Sequence, residues 1–200
     1  MSTNYPDILE ICSPESVEIG IRANTFSFTS YSNVTQAAPQ AGALWEGSVS
    51  YTLTPEEKRN LKVFIQQLNG RAGRFKINDP TEPTYPEMGT PNVNQPNQTG
   101  TVLTTQGWTP NCLVLRKGQY FNINNELKCS SADIYSSIDG TATLNFIPAI
   151  RNSPALATPI NTSKPYMLAT LNDDYIGFKT NENFVSKVSF EFTEAIYERE

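Results

Sequence analysis

Residues Leu44 to Ile77 read as strand, helix and strand with almost no slack, and this unit limits what the rest of the chain can become. Trp45, Gly47, Val49, Tyr51 and Leu53 fall on one side of an extended segment. Glu46, Ser48, Ser50 and Thr52 fall on the other, the two-residue period of a half-buried strand. Thr54 then stands where an N-cap belongs, with Pro55 at the first helical position and Glu57 three residues after the cap. The threonine oxygen can accept an orphan helix N–H while Glu57 reaches back to the N–H of the cap, a box worth about 1 kcal/mol. Leu61, Phe64, Ile65 and Leu68 follow at i, i+3, i+4 and i+7 as one apolar stripe, which predicts a helix over 55–68. Asn69-Gly70 ends it, since glycine takes the left-handed conformation without steric cost. Phe75 and Ile77 restart the two-residue period. One amphipathic helix of this quality between strands predicts a lid on a sheet, each large buried side chain contributing roughly 1.5–3 kcal/mol. The expected structural anchors are Trp45, Thr54, Leu61, Phe64, Ile65 and Leu68.

The lid needs a sheet wider than its own two strands. Upstream, Val17, Ile19, Ile21 and Ala23 share one face, and Phe26 and Phe28 continue the alternation. Residues 32 to 43 lose the pattern and are expected to be the tip of a long hairpin or a mobile loop. Far downstream, Val188, Phe190 and Phe192 face one way while Lys187, Ser189, Glu191 and Thr193 face the other, too clean an alternation for a tail. Its natural partners are the N-terminal strands. Residues 1–79 and 163–200 are therefore expected to form one discontinuous β-sandwich beneath the helix.

Between these halves the composition shifts. Pro80, Pro83, Pro86, Pro91 and Pro96 arrive among Asn, Gln, Thr and Gly, and no period survives, which excludes helix and central strand. Residues 101 to about 150 then read as short strands. Asn124-Asn125 can adopt positive φ in a two-residue turn, and Asp139-Gly140 is the strongest hairpin signal, followed by Ala142, Leu144 and Phe146 on one face. Several short strands in so few residues predict a small closed barrel, because closure removes the exposed edges. Residues 80–162 are thus a linker plus an inserted small β-barrel, and the fold class is mainly β.

Composition removes most chemistry. The chain has no histidine, which excludes Ser-His-Asp and Cys-His arrangements and the commonest metal ligand. No P-loop or GxGxxG is present. Asp173-Asp174 sit in a turn-like context and read as a solvated loop, and Asp79, Glu82 and Glu87 lie where a catalytic pair would lack rigid support. No catalytic, cofactor-binding or metal-binding residue is expected, and the protein is not expected to be an enzyme. A net charge of −5 argues against specific nucleic-acid binding. Cys12, Cys112 and Cys129 are odd in number and widely spaced, as expected for reduced thiols rather than a disulfide framework. With no signal peptide and no long apolar run, the chain is expected to be made in a cytosol without inserting into a membrane. Among the aromatics, Trp108 and Tyr120 on the barrel could contact a ligand or partner, stacking on a sugar ring for instance. The plainer reading makes a tryptophan beside a small barrel the plug of one end.

The order of these parts resembles the distal tail proteins of bacteriophages with long, non-contractile tails, in their compact form. The resemblance rests on Leu44-Trp45-Glu46-Gly47-Ser48-Val49-Ser50-Tyr51 running into the helix from Pro55, then Arg74-Phe75-Lys76-Ile77 and Lys117-Gly118-Gln119-Tyr120-Phe121-Asn122-Ile123. Thr141-Ala142-Thr143-Leu144-Asn145-Phe146-Ile147-Pro148 and the final Phe190-Glu191-Phe192-Thr193-Glu194 complete it. It implies a structural virion protein, made in the host bacterial cytoplasm. A belt domain would assemble into a homohexameric ring that joins the tail tube protein to the tail-tip hub and passes DNA through its lumen. It also implies an OB-like inserted barrel that projects outward toward tail fibres or collar proteins. The alternative reading is a stand-alone carbohydrate-binding β module of an adhesin.

Overall fold

The computed structural model describes residues 5–83 and 85–196, and among these it is mainly β with one α-helix. Strands β1 (Ser16–Thr29) and β2 (Thr35–Leu53) lead into helix α1 (Pro55–Leu68) and β3 (Phe75–Ile77). The middle of the chain supplies β4 (Gly89–Val93), β5 (Gly100–Trp108), β6 (Leu113–Leu115), β7 (Tyr120–Ile123), β8 (Glu126–Ser130), β9 (Ile134–Tyr135) and β10 (Ala142–Ile150). The return is made by β11 (Met167–Leu171), β12 (Lys179–Thr180) and β13 (Ser186–Glu194).

The two ends of the chain interleave in one antiparallel sheet of order β1-β2-β13-β11-β3, with β12 paired to β13. β13 lies between β2 and β11, with Phe190 opposite Val49 and Val188 opposite Tyr51. The alternation read from both segments is the alternation observed: Trp45, Val49, Tyr51, Leu53, Val188, Phe190 and Phe192 are all buried on one face. Gly47 interrupts that apolar row because a Cβ there would lie 2.7 Å from the ring of Phe192 and 1.9 Å from Glu18 O. Helix α1 and the 3-10 turn Ile8–Glu10 cover the face. Leu61, Phe64 and Leu68 are buried, while Ile65 is partly buried at the edge of the same cluster. Phe64 meets Phe75 edge-on at 6.1 Å, and Phe75 meets Phe192 at 6.3 Å. The capping box forms as its residues predict: Thr54 N donates to Glu57 Oε2 at 2.8 Å and Glu57 N donates to Thr54 Oγ1. The helix stops where Asn69 itself takes the left-handed conformation, one residue ahead of Gly70.

The insertion has a five-stranded antiparallel sheet, β4-β5-β10-β8-β7, curled around its own core. β10 carries the curl: its first half pairs with β5, and Phe146 and Ile147 then pair with β8. The free edges of β4 and β7 are bridged by the irregular segment 157–161. Val93 N donates to Thr158 O and Ile160 N to Pro91 O on one side, and Asn122 and Asn161 exchange both backbone bonds on the other. The wall of the barrel is thus completed by hydrogen bonds without a sixth regular strand. Asn124 and Asn125 both have positive φ in the β7–β8 turn, as their sequence predicts.

Three expectations are corrected. Residues 32–43 are mostly strand, because β2 begins at Thr35 and pairs with β1 as far as Thr29↔Thr35. The tip is only the turn around Ser30–Val34, closed by Ser30 N to Val34 O. The proline-rich connection contains β4, where Pro91 is tolerated because it lies on an edge strand and serves only as an acceptor. Asp139-Gly140 does form a tight turn, with Gly140 at positive φ and Ser137 N bonded to Thr141 O, but β9 leaves it to pair with β6 rather than β10.

Candidate functional site

β2 outruns the sheet that holds it. Its pairing with β13 ends at Glu46↔Thr193, whereas its pairing with β1 continues to the tip. Residues 24–40 therefore form a two-stranded ribbon projecting beyond the sheet. At its root the register shifts between Arg22 and Asn24, with Gly42 at positive φ on the opposite strand. The apolar positions change from odd to even numbering between Ile21 and Phe26, where this shift falls. Phe26 and Phe28 share one face of the ribbon and are 60% and 61% exposed, with Tyr31 and Val34 exposed at the tip. From residue 23 to residue 45 there is no charged side chain. A bare two-stranded ribbon is marginal in water, and an uncharged one with exposed aromatic rings is a surface suited to a partner.

The root of this arm is bolted to the insertion. Trp45 Nε1 donates to Leu127 O at 2.8 Å, and its ring meets Tyr120 edge-on at 5.6 Å. Leu127, Tyr120 and Cys129 face the core beneath the first sheet, while Phe121 and Ile123 of the same hairpin face the barrel core. The β7–β8 hairpin therefore serves both hydrophobic cores.

Beside it lies a buried polar cluster. Lys128 is fully buried and donates to Glu126 Oε2 at 2.6 Å and to Ala149 O at 2.9 Å. Glu126 also accepts the backbone N–H groups of Arg151 and Asn152. Arg151 crosses to the first sheet, pairing with Glu194 Oε2 at 2.8 Å and donating to Ala43 O. The same Glu194 oxygen accepts Trp45 N–H at 3.2 Å. Two cations and two carboxylates out of water are each costly unless paired, so the cluster tolerates little rearrangement. Burial pulls the Lys128 ammonium below its ordinary value against the opposing pull of Glu126.

The nominated aromatics are thus inside the protein. Trp108 is 3% exposed in the barrel core with its indole N–H on Thr105 Oγ1, so it plugs the barrel and offers no stacking surface. Tyr120 is half-buried against Trp45, and burial raises its phenol. The seam charges were absent from the sequence reading. A usable signal exists in Glu126-Leu127-Lys128, where charged positions alternate with an apolar one inside a strand pair that has aromatic residues on both faces.

Nothing in this geometry activates a thiol. Burial pushes the Cys12 thiol up to about 11 and also raises Cys129, so both resist forming thiolates. Glu82, against Tyr120 and Cys129, is raised by burial although it accepts the Tyr120 backbone N–H. Among the described residues no group of three or more potential metal ligands occurs, and no helix is long and apolar enough to cross a membrane. No family model matches the chain, and no curated protein is significantly similar to it.

Proposed function

We propose that this protein is a structural ring subunit of a bacteriophage tail, of the distal tail type. Its first sheet forms the belt and its inserted barrel lies outside. The observation that carries this reading is the charge-free β1–β2 ribbon with Phe26 and Phe28 exposed on one face. A subunit that joins copies head-to-tail needs a surface that its own fold does not cover, and such an interface closes into a ring when the rotation per copy fits. The buried ionic seam adds to the case, since a scaffold under load needs its appendage held at a fixed angle. In this reading the ring is a hexamer that lies between the tail tube protein and the tail-tip hub protein. DNA passes through its lumen without specific binding, and fibre or collar proteins are met by the barrel.

Native mass spectrometry and negative-stain microscopy of the full chain test the reading, alone and mixed with the tube and hub proteins. A closed ring of six copies is the expected result. Phe26→Ser with Phe28→Ser should leave a folded monomer. A wild-type protein that stays monomeric with both partners present would sink the proposal.

A further inference from the structure

The buried lysine of the seam has fewer partners than its charge requires. Glu126 and Lys128 stand two apart on β8, so their side chains share a face. The register places Phe121 opposite Lys128 and Ile123 opposite Glu126, which turns that face toward the barrel core. An ammonium carries three N–H donors. Lys128, 0% exposed, finds two acceptors among the described residues, Glu126 Oε2 at 2.6 Å and Ala149 O at 2.9 Å. The third donor has no acceptor among them, at a position that solvent does not reach.

A dry pair of this kind gains by losing its charges. Proton transfer across the 2.6 Å contact gives an amine beside a carboxylic acid, and the pull of burial on Lys128 acts in that direction. The carboxyl group is also held for attack. Its Oε1 accepts Asn152 N–H at 2.9 Å, a donor already aimed at the oxygen on which negative charge would build. Its Oε2 accepts the longer bond from Arg151 N–H at 3.2 Å.

We propose that Lys128 and Glu126 condense into an isopeptide bond, a self-modification of the folded chain. Lys128 Nζ attacks Glu126 Cδ, a C–N bond forms, and the bond from Cδ to Oε2 breaks. Of the three ammonium protons one stays on the amide nitrogen and two leave with Oε2 as water, so the step needs no other reactant. The product leaves no donor short. Its single N–H donates to Ala149 O, and its carbonyl Oε1 keeps Asn152 N–H and is the remaining acceptor for that of Arg151. The seam is then left with one ion pair, Arg151 with Glu194. Because the bond joins neighbours on one strand, it discharges the seam rather than stapling distant segments, and the β7–β8 hairpin keeps its place between two cores without a buried charge of its own.

Peptide mapping of the full chain tests the proposal, whether or not rings form. The folded protein is denatured, digested with trypsin and read by tandem mass spectrometry. Trypsin cuts after lysine and arginine, and Lys128 is the only such residue between Lys117 and Arg151. The bond should block that cut in most molecules and yield one peptide, Gly118–Arg151, lighter than its sequence by one water. Fragmentation should confine the deficit to Glu126–Lys128. Lys128→Met should give the same span at full mass. Cleavage after Lys128 in most molecules would overturn the proposal, as would an uncut peptide of full mass. So would a deficit that persists in Lys128→Met, or one that fragmentation places instead at Asp139-Gly140, where an aspartyl side chain can close on the next backbone nitrogen.

Discussion

β2 is one strand with two halves that obey different physics. From Leu44 to Leu53 it is held in the sheet, with β1 on one side up to Ser50 and β13 on the other from Glu46, and sends Trp45, Val49, Tyr51 and Leu53 into a core, each less than 5% exposed. From Thr35 to Gln40 it touches only β1, and both of its faces meet solvent. Buried alternation specifies register, because a slip of one residue would turn the whole apolar row outward. The outer half has no such penalty, and its register rests on backbone bonds and a short turn. One half is held by the fold, and the other awaits whatever covers it.

Phe64→Ala tests the buried half most severely. Phe64 lies under the helix against Phe75, itself in contact with Phe192, so truncation leaves a cavity and should cost about 3–5 kcal/mol in urea unfolding. Hydrogen exchange of the Val49–Leu53 amides should accelerate in step. If stability is unchanged, the stripe does not anchor the sheet, and the contrast between the two halves of β2 fails at its stronger end.

Glu194→Ala strikes the joint between the halves. It strands Arg151 with little beyond Ala43 O and leaves the Trp45 N–H without its acceptor, at a cost of about 3 kcal/mol. Glu194→Gln keeps the hydrogen-bonding shape without the charge and should lose about half as much. Equal losses from the two variants would mean that the side chain matters as packing and not as an ion.

Alkali should loosen the same buried layer. Cys12 packs against the core under the helix, and burial raises its thiol from an ordinary 9.0 to about 11. The folded state then holds a proton that the unfolded chain releases. The contribution is complete below about pH 9 and is lost as pH rises through 11, roughly 1–2 kcal/mol after allowance for partial exposure. Tyr51, raised by burial, acts in the same direction. Denaturation midpoints measured from pH 8 to 11 should fall in wild type and fall less in Cys12→Ala. A parallel decline in both would assign the slope to the other groups that burial raises, Tyr51, Tyr120 and Cys129, and not to Cys12.

The sequence was legible where local chemistry and burial agree. Thr54-Pro55-Glu57, the Leu61–Leu68 stripe and Asn124-Asn125 each contain their own cause, and each takes the conformation its residues demand. The mainly β class and the meeting of Val188–Phe192 with Val49–Tyr51 were readable for the same reason. In the arm the alternation through Phe26 and Phe28 was readable and the hairpin alternative holds, but the strand character of 35–43 was not, because that stretch is wet on both faces and carries no alternation. β4 was hidden because an edge strand tolerates Pro91. The seam shows in the sequence only as the alternation Glu126-Leu127-Lys128: that Glu126 meets the Arg151 backbone, and Arg151 meets Glu194, is decided by the tertiary fold. Trp108 takes the plainer of its two readings, a plug in the barrel core, while the half-burial of Tyr120 against Trp45 depends on what the fold brings against it.

The outer half of β2 yields the smallest effect on folding and the sharpest separation of the two regimes. Phe26→Ser with Phe28→Ser removes two rings that are mostly exposed in the monomer and belong to no core, so the unfolding free energy should move by no more than about 0.5 kcal/mol. Retention of that stability alongside loss of self-association would place the entire value of the two rings in a partner's surface. A loss of 2 kcal/mol or more would mean that the rings are covered within a single chain. The ribbon would then fold back on its own sheet, and the division of β2 into an inner and an outer half would collapse into one continuous core. The measurement belongs at micromolar protein and again a hundredfold lower, because an effect that appears only at the higher concentration comes from assembly and leaves the monomer comparison intact.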